Sequence, residues 1–135
     1  YLSEKIKPTI LSDGSANFKS KSEIDLLIAR PLTASMHKMH RACQDNYFSD
    51  LFIRSNGNLR PSSWMDKVEL AGQRIRKITP QEAFLLQGFP SFYADKAISN
   101  GVSCAALYKQ AGNAVSVNTI YSILHYLITT KIITL

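Results

Sequence analysis

The spacing of apolar residues is most regular near the C-terminal end of the chain. Six aliphatic residues recur there at the spacing of one helix face: Val117, Ile120, Ile123, Leu124, Leu127 and Ile128. This period predicts a last helix over residues 116–130 with one broad apolar stripe. The stripe is wide for a terminal helix on so short a chain, so we expect another surface to cover it. Without a cover, exposed apolar residues over 120–128 predict self-association.

A second helix is predicted by the residues that start and stop it. Thr79 suits the N-cap, Pro80 occupies the first helical position, and Glu82 stands where a capping box requires it. Gly88 ends the helix, and Pro90 prevents its resumption. The sequence therefore predicts one short, well-capped helix directly after a basic segment.

Gly112 and Asn113 follow a further short helix, predicted over residues 103–111 and closed by the glycine. A glycine here permits close approach of the backbone to a ligand, and the amides that start the next helix suit a carboxylate or phosphate. The alternative is a glycine C-cap followed by an asparagine N-cap, which requires no ligand. Spacing alone favours this second interpretation.

The first half of the chain has weaker patterns. A strand is expected near residues 6–11, followed by a polar loop over 12–17, and residues 23–28 are ambiguous between a helical turn and a strand. Residues 30–54 show neither period but interleave aromatic groups with hydrogen-bonding side chains. The turn-forming residues of 55–63 predict a surface loop.

Composition and charge narrow the class of protein. A chain of 135 residues suits one domain, or a small domain with an appendage. Apolar residues make up 45% and charged residues 19%, which excludes global disorder. The net charge of +6 is compatible with a polyanionic partner. Two cysteines are too few for a disulfide framework, so a reducing cytoplasm is expected, and no apolar run has transmembrane length.

Several catalytic and metal-binding patterns are incomplete in this sequence. His37, His40 and Cys43 are spaced three apart, but a zinc site needs a fourth ligand or water and no further protein ligand is near. Neither Cys43 nor Cys104 has a recognisable activating neighbour, so neither is expected to act as a nucleophile. The sequence also has no glycine-rich nucleotide loop, no nucleophile elbow and no paired-histidine zinc motif.

A basic segment precedes the capped helix. If residues 74–77 are extended, alternation places Arg74 and Arg76 on one side, where they suit two phosphates of a nucleic-acid backbone. The alternative is a solvated run of charges that includes Lys77. The residues alone favour this alternative.

Two blocks of sequence resemble a known family. Residues 76–90, RKITPQEAFLLQGFP, resemble the ninth conserved motif of the cytosine-C5 DNA methyltransferases. Residues 108–117, YKQAGNAVSV, resemble the tenth motif, in the right order and at the right distance. Residues 30–41 look like the target-recognition region that precedes the ninth motif, particularly that of bacterial modification enzymes. The two motifs are specific, and the recognition region is less so.

The resemblance implies an α+β fold. It implies a small mixed recognition domain with irregular strands and short helices, ending in a helix that docks on a Rossmann-like S-adenosylmethionine-dependent methyltransferase domain absent from this chain. The corresponding division is a target-recognition region over 1–72, a ninth-motif segment with short helices over 73–111, and the tenth-motif turn with the docking helix over 112–135. The apolar stripe agrees with such a helix.

The resemblance also implies roles for individual residues. The tenth-motif turn beside the cofactor, S-adenosylmethionine, matches Asn113, Ala114 and Val115. The residues expected to contact duplex DNA are Arg30, Thr33, His37, Lys38, His40, Arg41, Gln44, Asn46, Arg74 and Arg76. Arginine and lysine suit phosphates or guanine, and histidine and amide side chains suit base edges.

The chain departs from the family at the reaction itself. Family members flip the target cytosine out of the duplex and attack it with the cysteine of a Pro-Cys pair, while the glutamate of a Glu-Asn-Val motif engages the base. Neither element occurs here, so we expect no catalytic residue, no metal ligand and no methyl transfer by this chain alone.

The resulting hypothesis is that the chain is a fragment or small subunit of a cytosine-C5 DNA methyltransferase. It would recognise the DNA target and complete the cofactor pocket of a catalytic domain or subunit. One alternative is a stand-alone DNA-binding module or a decayed remnant without enzymatic role. Another is an interaction domain whose last helix mediates dimerisation.

Overall fold

The computed structural model describes residues 1–38, 41–59 and 64–133, which divide into two compact units. The first unit contains Tyr1–Leu32 and Lys38–Ile78, and the second contains Thr33–His37 and Thr79–Leu135. Short helices and very short strands make up the described elements, so the expected α+β class is confirmed.

Over its described residues, the first unit contains three helices and two antiparallel strand pairs. Its elements are α1 (Lys7–Leu11), β1 (Gly14–Ser15), β2 (Phe18–Lys19), β3 (Tyr47–Ser49), α2 (Asp50–Arg54), α3 (Lys67–Ala71) and β4 (Ile75–Lys77). β1 pairs with β2, and β3 pairs with β4 so that Phe48 lies opposite Arg76. A buried apolar cluster forms the core: Ile10, Leu11, Ile24, Ala42, Tyr47, Leu70 and Ile75.

The expectation of a strand at residues 6–11 was wrong, because this segment forms α1. Pro8 lies in the first helical turn, where its missing N–H is not needed. Ile6 and Ile10 are one turn apart on the helix and both pack into the core, together with Leu11. The short apolar run is compatible with a strand or a helix, and burial of its apolar side chains in the core favours the helix.

The structure also specifies two other segments of the first unit, residues 12–17 and 23–28. The polar segment 12–17 contains β1, which pairs with β2 in a tight hairpin. Residues 23–28, ambiguous in the sequence, form neither a helix nor a strand. Residues 55–59 form turns and an irregular segment, as expected, and the rest of the predicted loop at 60–63 lies outside the described residues.

Asp25 holds this irregular segment against the strands. Its backbone N–H donates to the Tyr47 carbonyl at 3.0 Å, and its carboxylate accepts from the backbone N–H of Ser49 at 2.7 Å and from its hydroxyl at 2.9 Å. Asp25 and Ser49 are both fully buried. A buried carboxylate is tolerated only when it is hydrogen-bonded, and these contacts meet that condition.

The second unit is helical over its described elements. They are α4 (Pro80–Leu86), α5 (Phe92–Ser99), α6 (Cys104–Asn113) and α7 (Val117–Thr129). α4 packs against α5 and α6, with Ala83, Ala94, Leu107 and Ala111 buried. The small alanine side chains allow these helices to approach closely. No helix in the described part of the chain is long and apolar enough to cross a membrane.

The capped helix was predicted correctly and confirms the sequence signals. The Thr79 hydroxyl accepts from the Glu82 N–H at 3.2 Å, and the Glu82 carboxylate accepts from the Thr79 N–H at 2.8 Å. α4 ends at Leu86, and Gly88 adopts a φ of +84° that continues no right-handed helix. The capping box and the glycine therefore set both ends of this element.

The predicted end of the helix over residues 103–111 was wrong. α6 continues through Gly112 to Asn113, so this glycine lies inside the helix and is neither its C-cap nor the start of a turn. The last helix was predicted closely: α7 begins after Ser116 and ends at Thr129. A three-residue connection, 114–116, joins the two helices.

Candidate functional site

An arginine face lies on one side of the β3–β4 pair. Arg74 and Arg76 flank Ile75, which is fully buried, so both side chains point to the opposite side of the strand. The Arg76 guanidinium carbon lies 5.7 Å from the Phe48 ring centroid, and that of Arg74 lies 4.1 Å from the Tyr1 ring centroid. Stacking on aromatic rings orders the two cations and leaves Arg74 63% exposed.

Asp50 lies behind this arginine face. Its carboxylate oxygen lies 3.6 Å from Nε of Arg74 and 3.7 Å from Nη2 of Arg54. A hydrogen bond with Asp50 raises the pKa of the Tyr1 hydroxyl above its ordinary value. Asp50 is the first residue of α2, whose N-cap Ser49 accepts from the Phe52 N–H at 3.1 Å.

The sequence reasoning missed Asp50 and Arg54 as part of this surface. A signal was present, because aspartate four residues before arginine is a common ion pair on a helix. The Asp50 carboxylate is thus shared by two exposed arginines, Arg54 and Arg74.

Arg30 and Asn46 are joined by a reciprocal pair of hydrogen bonds. The Arg30 N–H donates to Oδ1 of Asn46 at 2.7 Å, and Nδ2 of Asn46 donates to the Arg30 carbonyl at 3.0 Å. Nε of Arg30 also donates to the Ala42 carbonyl at 3.0 Å. Asn46 is buried, so its amide braces the main chain at Arg30 in this structure.

The remaining recognition candidates of the first unit differ in exposure. Lys38 and Gln44 are exposed, Arg41 is half-buried, and His40 lies outside the described residues. The Lys38 carbonyl accepts a hydrogen bond from Nζ of Lys77 at 2.7 Å. This contact ties the backbone of the candidate recognition segment to strand β4.

Lys77 is not part of a solvated charge run. Its side chain is 17% exposed, and Nζ lies 3.3 Å from Oδ2 of Asp45 and 5.4 Å from the Tyr47 ring centroid. Burial lowers the pKa of Lys77, while the Asp45 carboxylate acts in the opposite direction. The structural role of Lys77 therefore separates it from Arg74 and Arg76.

Thr33 and His37 belong to the second unit rather than to the first. Nδ1 of the exposed His37 lies 3.2 Å from the Ala34 carbonyl. The backbone at Thr33 and Ala34 runs directly against Gly112: a Cβ on that glycine would lie 2.2 Å from the Thr33 carbonyl carbon and 2.4 Å from the Ala34 nitrogen. The close approach at this glycine is therefore made by the chain's own backbone.

The three predicted cofactor residues lie together at the connection between α6 and α7. Asn113 ends α6, Ala114 is its C-cap, and the Ala114 N–H donates to the Gln110 carbonyl at 3.0 Å. Asn113 and Val115 are exposed. Ser116, the N-cap of α7, makes no side-chain hydrogen bond to the helix.

Gln87, at the end of α4, makes three hydrogen bonds to this connection and to the helices on either side of it. Its Nε2 donates to the Ala111 carbonyl at 2.8 Å and to the Ala114 carbonyl at 3.3 Å. Its own carbonyl accepts from the Val117 N–H at 2.8 Å. The sequence reasoning identified the block that contains Gln87 but gave this residue no role, because its partners lie more than twenty residues away.

α7 has no buried residue along its whole length. Its sequence, VNTIYSILHYLIT, contains no Lys, Arg, Asp or Glu. The aliphatic stripe is exposed to water, with Ile123 at 50% and Leu124 at 47%. A helix with these properties is typical of a surface that another protein surface covers.

The described residues contain no group of three or more His, Cys, Asp or Glu side chains suited to a metal ion. Cys43 is partly buried and Cys104 is exposed. Neither takes part in the arginine face or the 114–116 connection.

The family model for C-5 cytosine-specific DNA methylase matches residues 4–129. An orphan methyltransferase of Bacillus phage rho11s is 48% identical over 59 residues, which are 44% of this chain and 12% of that protein. A type II methyltransferase of Shigella sonnei is 44% identical over 63 residues, 47% of this chain and 15% of that protein. The aligned stretches are thus a small part of these relatives. No solved structure gives a significant match.

Proposed function

This chain belongs to the C-5 cytosine-specific DNA methylase family, and we propose that it supplies target recognition and part of the cofactor site to a cytosine-C5 DNA methyltransferase. The complete enzyme would transfer a methyl group from S-adenosylmethionine to C5 of cytosine in duplex DNA. The observation that carries the proposal is α7, an uncharged apolar helix without a buried residue, directly after the candidate cofactor residues. Its position and exposure suit docking on a catalytic domain.

The arginine face supports the DNA-binding part of the proposal. Arg54 and Arg74 share the Asp50 carboxylate, Arg74 also stacks on the Tyr1 ring, and Arg76 lies beside the Phe48 ring. Guanidinium groups suit phosphate oxygens, and phosphate contacts position a protein on the duplex. Lys38, Arg41 and Gln44 would reach the DNA from the adjoining segment, with Thr33, His37 and His40 as further candidates. Arg30 and Asn46 would act mainly by bracing that segment.

The connection at Asn113, Ala114 and Val115 supports the cofactor-binding part. It offers an exposed amide side chain, an exposed apolar side chain and a helix start without a side-chain cap. These groups fit the methionine end of S-adenosylmethionine, which carries a carboxylate and an apolar chain. When bound, the cofactor supplies the methyl group. The residues of this chain would orient it and exclude water from one side.

The residues that the family uses for the reaction indicate which steps this chain would leave to another domain. The sequence contains no Pro-Cys pair and no Glu-Asn-Val motif. The attack on cytosine would therefore come from a Rossmann-like domain that α7 contacts. The chain would contribute binding and orientation, which are catalytic only in the presence of that domain.

A reconstitution experiment tests this proposal. The chain is mixed with a polypeptide that carries the first eight family motifs, and methyl transfer from labelled S-adenosylmethionine to duplex DNA is measured. We expect transfer in the mixture and none from either polypeptide alone. Activity of this chain alone, or no activity in a mixture with its cognate partner, would contradict the proposal.

A stand-alone DNA-binding module is the second candidate. The arginine face favours it, because that face lies within the first unit, which has its own buried core. This alternative expects salt-sensitive DNA binding by the chain and no activity in any mixture.

A further inference from the structure

The connection between α6 and α7 is held by one residue from α4. The side chain of Gln87 bonds to a carbonyl before the connection, at Ala111, and to one within it, at Ala114. The main-chain carbonyl of Gln87 accepts a hydrogen bond from the N–H of Val117, the first residue after the connection. Three hydrogen bonds from one residue therefore restrain the segment on which Asn113, Ala114 and Val115 lie.

The residue after Gln87 brings the end of α4 close to the start of α7. Gly88 has a φ of +84°, and a Cβ there would lie 3.1 Å from Cβ of Val117 and 3.5 Å from Oδ1 of Asn118. Little room remains for a larger residue at this point. The glycine places the Gln87 carbonyl where the Val117 amide can reach it.

Gly112 provides a second restraint on the same segment. The backbone at Thr33 and Ala34 lies so close that no side chain fits at position 112. Because Asn113 follows this glycine directly, the contact fixes the end of α6 from a part of the chain far away in sequence. Both restraints lie within the second unit.

We propose that Gln87 and Gly112 are positioning residues, which hold Asn113, Ala114 and Val115 in the cofactor-binding conformation before any catalytic domain is bound. This inference rests on the proposed function of that segment. Preorganisation lowers the ordering cost of binding, so its loss weakens cofactor affinity more than it slows the chemical step. Gln87 thereby links the ninth-motif block to the tenth-motif block through direct hydrogen bonds.

The test uses variants of Gln87. Gln87→Ala removes both side-chain donors, Gln87→Glu keeps the shape without a donor, and Gln87→Lys keeps a donor. Gln81→Ala is the matched control, because Gln81 lies on the same helix and its side chain bonds to Asp95 at an exposed site. Gly112→Ala tests the second restraint independently.

Two measurements are made. Hydrogen exchange of the Val117 amide in the full chain alone reports the restraint without any catalytic reaction. Loss of the Gln87 side-chain bonds should loosen the segment and with it the main-chain bond between Val117 and Gln87. In the reconstituted mixture, the KM for S-adenosylmethionine is compared with kcat. We expect faster Val117 exchange and about a tenfold higher KM for Gln87→Ala and Gln87→Glu, with kcat changed less than about twofold. Gln87→Lys should recover part of the loss, and Gln81→Ala should match the wild type.

The outcomes separate this inference from the proposed function. An unchanged KM in an active Gln87→Ala mixture overturns the inference, and so does Val117 exchange equal to that of the wild type. An inactive wild-type mixture overturns the proposed function instead. A loss in kcat as large as the rise in KM would also overturn the inference. A raised KM in the Gln81→Ala control would overturn it too, since the effect would not be specific to Gln87.

Discussion

At the scale of single residues, the contact between Asp25 and Ser49 depends on the chemistry of these two side chains. Asp25 has a φ of +60°, a left-handed conformation that costs free energy for a residue other than glycine. Its carboxylate and its backbone N–H both bond to strand β3, which offsets that cost. No sequence pattern predicts this pairing, because the two residues are far apart in the chain and neither belongs to a recognisable motif.

Replacing Ser49 tests this contact. Ser49→Ala removes the hydroxyl donor to Asp25 and also the N-cap acceptor for Phe52. We expect a loss of about 2–3 kcal/mol in the free energy of unfolding, because a buried carboxylate loses a partner and a helix loses its cap. Urea unfolding measures the change. Ser99→Ala, at an exposed serine, should change stability by less than about 0.5 kcal/mol, and equal effects of both variants would contradict this account.

Arg74 and Arg76 should contribute to DNA binding through charge. Each arginine that contacts a phosphate releases counterions, so Arg74→Ala or Arg76→Ala should reduce the slope of log affinity against log salt by about 1. Fluorescence anisotropy with a labelled duplex of arbitrary sequence measures that slope. Lys5→Ala is the control, because Lys5 is an exposed cation of the same unit. Unchanged slopes for both arginine variants would show that the arginine face does not contact DNA.

At the scale of elements, local signals predicted α4 and α7 better than they predicted the end of α6. A capping box and an apolar period are properties of neighbouring residues, and Thr79, Glu82 and the α7 stripe carry them. Gly112 looks like a helix stop in the sequence. A glycine is needed there because the backbone at Thr33 leaves no room for a side chain, and no local pattern reveals this contact.

The candidate site shows the same limit. The motif indicates which residues are the candidates for cofactor binding, but it does not indicate the restraint from Gln87. On β4, alternation indicates that Arg74 and Arg76 share a side. The separation of Lys77 from them depends on Asp45 and Tyr47, which lie some thirty residues earlier. Sequence patterns thus identify segments, and long-range packing assigns their side chains.

Gly112→Ala tests the packing at α6. Alanine is favoured over glycine in a helix by about 1 kcal/mol, so helix propensity alone would stabilise the variant. The added Cβ would collide with backbone atoms, which cannot move as a flexible side chain can. We expect the collision to dominate, with a net destabilisation of about 1–3 kcal/mol in urea unfolding.

Gly72→Ala is the control for this change. Gly72 is also in a right-handed conformation, and the near neighbour of its added Cβ is the Glu69 carbonyl of its own helix at 3.1 Å. We expect a smaller effect there than at Gly112. A stabilised Gly112→Ala protein would show that the Thr33 backbone is not seated on this glycine.

At the scale of the whole molecule, α7 is the feature that most requires a second surface. Burying one Ile or Leu side chain contributes about 1.5–3 kcal/mol, and α7 leaves its aliphatic stripe in water. The chain alone should therefore associate with itself. In sedimentation, its average mass should exceed 15.1 kDa and rise with concentration.

A double variant, Ile123→Gln with Leu124→Gln, should abolish that association. Both residues are about half exposed, so polar replacements should cost the chain little stability while removing the apolar surface. Ser122→Gln, a polar change on the same helix, should associate like the wild type. The double variant should also fail to support methyl transfer in the reconstituted mixture, because the same stripe would contact the catalytic domain. A wild-type chain that remains monomeric at all concentrations, or a double variant that fully supports transfer, would show that α7 is not the docking surface.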